Sequence, residues 1–260
     1  MKNMSTKTTA LSLILGAILI TVFNSLIPVN AANPFSFSFD PSVSSEVIKA
    51  TMGNQVTLRI STMLLTISTL LIPLGLLGIV RMTEKEDTKS FTNWGLLLSV
   101  IAITVWALTS GANLAFAGVI SGITSATKQL AEAQGALAGA TASNNMALVA
   151  QMTGAITGIN MGIMSLNISA GVINAIGIAT HQIATMIFLI ANVFLGLGMN
   201  QSKNLNSLLP KLLIGIGILG FITVIIYPLS SNPGYGLGGI ILTLIALVWL
   251  LIGIRILRIR

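Results

Sequence analysis

Polar residues recur every seven positions through an otherwise apolar stretch: Thr153, Asn160, Asn167, Asn174 and His181, with Thr185 and Asn192 extending the series. On a helix of about 3.6 residues per turn, steps of four, seven and eleven return close to the same face. The spacing therefore predicts one helical stripe of amides, hydroxyls and the single imidazole of the chain. Ile, Leu, Val, Met, Ala and Gly surround it, and no Asp, Glu, Lys or Arg occurs between Glu132 and Lys203.

Elsewhere the apolar positions form runs of about 20 residues, the length that crosses roughly 30 Å of hydrocarbon. They predict an all-α fold, a polytopic membrane helix bundle of about six spans forming one membrane domain over 1–260. The spans fall at 11–28, 58–80, 94–117, 177–199, 208–229 and 237–253. A transmembrane barrel would instead show short alternating segments. Residues 1–31 fit two readings, an uncleaved first span or a signal peptide ending near Val29-Asn30-Ala31. Residues 32–57 fit an outer segment, with Phe35, Phe37 and Phe39 as an interfacial anchor and Asp40-Pro41 as the cap and first residue of a short amphipathic helix. A loop packed over the bundle fits that segment equally well.

In the second span, Ser61, Thr62, Thr66, Ser68 and Thr69 have carbonyls of their own helix within reach, and Pro73 predicts a kink. From 118 to 175 the composition turns to Ala, Gly, Ser, Thr and Asn. That block reads as an extracytoplasmic helical insertion between spans three and four, turning at Ser143-Asn144-Asn145. A helix unbroken from Met146 to Met199 would measure roughly 80 Å. It must project outside or break, and Gly171 to Gly177 is the expected break. Pro233, Gly234 and Gly236 predict a tight outer turn over 230–236.

Composition sharpens this picture. The chain is 54% hydrophobic and 7% charged, with mean hydropathy +0.94, whereas about a quarter of a soluble domain is charged. The net charge of +7 does not point to nucleic acid, because the basic residues cluster beside the ends of apolar runs. With both termini inside, Lys2, Lys7, Arg81, Lys85, Lys89, Lys203, Lys211, Arg255, Arg258 and Arg260 fall on the cytoplasmic side. Only Lys49, Arg59 and Lys128 fall outside. This predicts a multi-pass protein of the cell membrane with a cytoplasmic C-terminus. There is no cysteine, hence no disulfide or thiolate chemistry.

The last third carries Phe188-Leu-Ile-Ala-Asn-Val-Phe-Leu-Gly-Leu-Gly198, Leu209-Pro210, Leu213-Ile-Gly-Ile-Gly-Ile-Leu-Gly220 and Trp249-Leu-Leu-Ile-Gly253. In these motifs and in its layout the chain resembles a family of prokaryotic integral membrane proteins, domain of unknown function 4386. The resemblance implies six spans. It transfers no functional residue, because that family has no established activity, and the Ala/Gly/Asn block departs from its pattern.

Two constellations stand out. Asn174, His181, Thr185 and Asn192 form a candidate polar stripe that either lines a hydrated path or fixes the register of a helix–helix seam. Gly154, Gly158 and Gly162, preceded by Ala150, form a small-xxx-small ladder of the kind that packs helices in membranes. Together they favour packing, by a homo-oligomer or with a membrane-complex partner, over a small-solute or ion transporter or channel. His181 has no second His or Cys and no carboxylate in its span, so neither a zinc site nor a catalytic dyad is expected. No cofactor is expected, and Gly215-Ile-Gly217 lacks the Lys and Ser/Thr of a phosphate loop. The predicted protein is a non-enzymatic membrane component whose primary partner is the lipid bilayer.

Overall fold

The computed structural model describes residues 6–32, 40–83, 89–202, 205 and 208–258. The proposed phenylalanine anchor at 35, 37 and 39 lies outside them. Described residues form nine helices: α1 Thr6–Ser25, α2 Pro28–Ala32, α3 Ser44–Thr51, α4 Gln55–Thr69, α5 Leu71–Met82, α6 Lys89–Ala142, α7 Met146–Gln201, α8 Leu208–Ile226 and α9 Asn232–Arg258. Counting α4 and α5 as one bent element, six are long and apolar enough to cross a membrane.

The bend between α4 and α5 sits at Leu70, three residues before Pro73. A proline ring collides with the backbone one turn upstream and leaves a carbonyl there without its helical donor, so the break appears N-terminal to the proline itself. The hydroxyls of Ser61, Thr66, Ser68 and Thr69 donate to carbonyls three or four residues earlier in the same helix. Thr62 is the exception, its buried hydroxyl finding no partner.

The helices run alternately up and down and pack in a closed ring, α1 to α4–α5, α6, α7, α8, α9 and back to α1. Close approach depends on glycine. A Cβ at Gly78 would collide with Thr9, one at Gly198 with Thr92, and one at Gly253 would lie 3.0 Å from the Ala10 carbonyl. The core of the ring holds Leu13, Leu76, Leu189, Leu195, Ile245 and Trp249, all fully or almost fully buried. Alternation of direction gathers Lys7, Arg81, Lys89, Lys211, Arg255 and Arg258 at one end of the ring.

The longest elements are α6 and α7, of 54 and 56 residues, roughly 80 Å each. They form an antiparallel hairpin turning at Ser143 to Asn145, where Asn144 takes a positive φ of 52° and the Asn145 side chain accepts from Leu148 N at 3.1 Å. Asn tolerates this left-handed conformation, and its oxygen caps the new helix. The less exposed residues follow a heptad: Ile123, Ala126, Leu130, Ala133, Leu137 and Ala140 on α6, and Val149, Met152, Ile156, Ile159, Ile163, Leu166 and Ala170 on α7. That spacing of three and four is the seam of a coiled coil.

The expected break at Gly171 to Gly177 is not found, since α7 is one continuous helix. These glycines accommodate neighbours instead. Gly171 faces Ser44, and a Cβ on Gly177 would touch Ala112 Cβ at 3.6 Å. Tertiary contacts on both sides hold the helix where propensity alone would loosen it. Two boundaries also differ from expectation. Asp40 does not cap α3; its Oδ1 accepts from the Ser42 amide and hydroxyl, an Asx turn that delays the helix to Ser44. Likewise α9 begins within the expected turn, because Pro233 suits the first turn of a helix. A Cβ at Gly234 would collide with the Pro228 carbonyl.

Two alanine substitutions separate these roles of glycine. Gly198→Ala should lower the thermal unfolding temperature of the detergent-solubilised protein, overpacking costing about 1–3 kcal/mol. Gly158→Ala, where no atom lies within 4 Å of the added carbon, should raise it, gaining up to about 1 kcal/mol of helix propensity. The opposite order would overturn the packing described here.

Candidate functional site

The heptad assigns the polar stripe a definite place. Thr153, Asn160, Asn167, Asn174 and His181 lie four residues after each first seam position of α7, immediately beside the apolar centre. In an antiparallel pair such flanking positions face their counterparts on the other helix, which here include Trp106 and Asn113. The stripe therefore borders the α6–α7 seam, while apolar side chains and small residues occupy its middle.

Along its length the stripe meets different surroundings. Thr153, Asn160 and Asn167 are exposed. Next, Asn174 Nδ2 donates to the Pro41 carbonyl at 2.8 Å, tying the approach to α3 onto α7. One heptad further, Trp106 Nε1 donates to His181 Nδ1 at 3.1 Å. An indole N–H only donates, so this imidazole nitrogen carries no proton. Trp106 also packs on Phe188 with ring centroids 5.0 Å apart, and Thr109 and Thr180 share a hydrogen bond of 3.0 Å alongside.

Deeper still, Thr185 and Asn192 are completely buried. Asn192 Nδ2 donates to the Phe188 carbonyl at 2.7 Å, and its Oδ1 accepts from Trp249 Nε1 at 2.9 Å. Asn192 thus links α7 to α9 across the ring. Thr185 Oγ1 has no hydrogen-bond partner. The four candidate residues are spread over several turns of α7 and meet separate partners, Pro41, Trp106, Phe188 and Trp249, rather than converging on a common point.

Space around them is limited. A cavity of about 40 Å³ lies between Asn113, Asn174, Thr51 and apolar side chains including Val47 and Phe116. That holds a water molecule or little more. A shallow groove of about 240 Å³ flanks Asn174 and Gln182, below the usual 300–1,000 Å³ of a small-molecule site. No group of three or more His, Cys, Asp or Glu is placed to hold a metal among the described residues.

Gly154, Gly158 and Gly162 face open space: beyond their own turn of helix, no described residue lies within 4 Å of where a Cβ would stand. The partners that sequence reasoning missed are Pro41, Trp106 and Trp249. A signal was present for Trp106: membrane tryptophans concentrate at the interface, whereas this one lies in the middle of a predicted span and so needs an internal acceptor for the indole N–H; Trp249, four residues from the end of its predicted span, carried no such signal. Pro41 had no such signal, because it is reached through a backbone carbonyl.

No protein-family model, no curated protein and no solved structure matches this chain. The reading of the site therefore rests on its geometry.

Accessibility should follow the burial. Single cysteines at Thr153 and Asn160 should react readily with an aqueous maleimide, whereas those at Thr185 and Asn192 should resist it. Rapid labelling of all four would show a water-filled path along the stripe. In a double-mutant cycle, Asn192→Leu and Trp249→Phe should couple by about 0.6–2 kcal/mol in unfolding free energy, the range of interhelical hydrogen bonds in membranes. Zero coupling would remove the link between α7 and α9.

Proposed function

We propose that the chain is a non-enzymatic, multi-pass component of the cell membrane that works in assembly, joining a second copy or a membrane-complex partner through the distal part of its α6–α7 hairpin. The observation that carries this reading is the uncovered outer face of α7 at Ala150, Gly154, Gly158 and Gly162. Gln55 bonds Thr124 at 2.9 Å, marking where α4 begins to run alongside α6. Beyond that level, about 27 Å of the hairpin continues without another helix of the ring. It carries only Lys128 and Glu132 as charges. A solvated two-helix projection of this length ordinarily carries many more. Small residues at four-residue spacing let a partner helix approach closely.

We place this projection on the extracytoplasmic side and the C-terminus in the cytoplasm. The gathering of six described basic residues at the opposite end of the ring supports that orientation. The non-catalytic reading draws support from the commitment of His181 Nδ1 to Trp106 and of the Asn192 amide to Phe188 and Trp249. Both are occupied in holding helices together.

The test is the size of the assembly in native-lipid nanodiscs or mild detergent. Gly158→Leu, at a position where an added Cβ meets no neighbour, should shift the protein to a smaller species in native mass spectrometry or light scattering. If the size of the assembly stays unchanged, the glycine face is not a packing surface and the proposal fails.

A further inference from the structure

The groove beside Asn174 opens where the start of α3, the flank of α7 and the turn between α8 and α9 meet. Its polar lining includes Ser44 from α3, Asn174 and Gln182 from α7, and Ser230 from the turn. The side chains of Ser44, Gln182 and Ser230 make no hydrogen bond to another described residue. This sets them apart from the serines and threonines nearby. Ser169 and Thr180, for example, donate to carbonyls of their own helix. Asn174 engages its nitrogen with Pro41, which leaves Oδ1 as an acceptor. Gly171 keeps the floor open, since a Cβ there would stand 3.3 Å from Ser44 Oγ.

The chemistry of the lining is specific. Among the described residues no charged side chain lines the groove, and the Asp40 carboxylate beside it already accepts from the amide and hydroxyl of the lining residue Ser42, so the lining offers nothing to balance a phosphate or carboxylate. Hydroxyls and primary amides both donate and accept, and here they come from three separate elements. Their natural complement is a neutral group with several hydroxyls of its own. The volume of about 240 Å³ suits one polyol or one sugar ring. Ile178 lines the same groove, and an apolar wall beside hydroxyl-binding groups suits the ring face of a sugar.

We propose that this groove binds an uncharged, polyhydroxylated group, presented either as a free polyol or as the headgroup of a neutral glycolipid. Binding joins α3 and the α8–α9 turn to α7. It therefore protects backbone amides of α3 that are otherwise held by one short helix of eight residues.

Hydrogen–deuterium exchange of the full chain tests this and distinguishes the two sources. In one arm the detergent-solubilised protein receives millimolar myo-inositol. In the other, the protein sits in phosphatidylcholine nanodiscs with or without a monoglycosyl diacylglycerol. Slower exchange across Ser44–Thr51 in the first arm identifies a soluble polyol, and slower exchange in the second identifies a lipid headgroup; either result supports the site. The concentration giving half-maximal protection should rise about tenfold in Gln182→Leu, the factor expected from losing one well-made hydrogen bond. Trimethylamine oxide, an excluded osmolyte without hydroxyl donors, controls for general stabilisation. Circular dichroism confirms that the variant is folded. Protection in neither arm overturns the proposal, as does equal protection in wild type and Gln182→Leu.

Discussion

The pairing of α6 with α7 is the constraint on which the rest of the architecture depends. Two helices of more than fifty residues stay in register because a heptad of apolar and small side chains runs from inside the ring to the hairpin tip. Strict seven-residue spacing keeps one seam facing the partner along the whole length. Once that seam is set, the positions available to every other element are restricted. The bent α4–α5 element runs along α6 through Gln55–Thr124 and Thr66–Ser110. On the other side α8 packs against α7, where Gly196 admits the backbone at Pro210 and Ile214. The α1–α9 pair closes the ring.

Glycine has two opposite uses in this frame. Inside the ring, Gly75, Gly78, Gly198, Gly217 and Gly253 sit where an added carbon would collide with a neighbouring helix, so close packing requires them. Without a hydrophobic driving force between helices in lipid, such close packing supplies much of the attraction. On the outer face of the distal hairpin, Gly135, Gly139, Gly154, Gly158 and Gly162 touch nothing, yet each weakens the helix relative to alanine. Helix propensity gives no reason for them there.

Much of the fold was legible in the sequence for concrete reasons. Run lengths located six apolar helices. Ser143-Asn144-Asn145 marked the hairpin turn through its side-chain chemistry, and Pro73 marked the interruption between α4 and α5 at Leu70. Three features were not legible. The continuity of α7 through Gly171 and Gly177 depends on neighbours, Ser44 and Ala112, that are 127 and 65 positions away in sequence. Asp40 has the composition of a helix cap, but the competing Asx turn at Ser42 prevails. The polar stripe was visible as a period of seven; its phase relative to the apolar seam, which puts Asn160, Asn167, Asn174 and His181 at the flank, shows only once the two helices are paired.

That phase also explains how one periodic pattern serves unlike roles. A polar group at the seam centre would need burial and pairing at every repeat, each pair contributing little in a membrane. Beside the seam, each residue takes whatever its level provides: solvent at Asn160, a loop carbonyl at Asn174 and an indole at His181, while Asn192, in a different phase, reaches α9. The ring uses the lower part of the stripe to fix its helices. The upper part, Thr153 to Asn167, keeps its amides and hydroxyls exposed beside the bare glycines of the same helix. A surface with hydrogen-bonding capacity, little charge and room for close approach has the same three properties that join the helices lower down. The projecting hairpin thus carries, beyond the ring, an uncovered face with the same small and polar residue types that line the contacts within it.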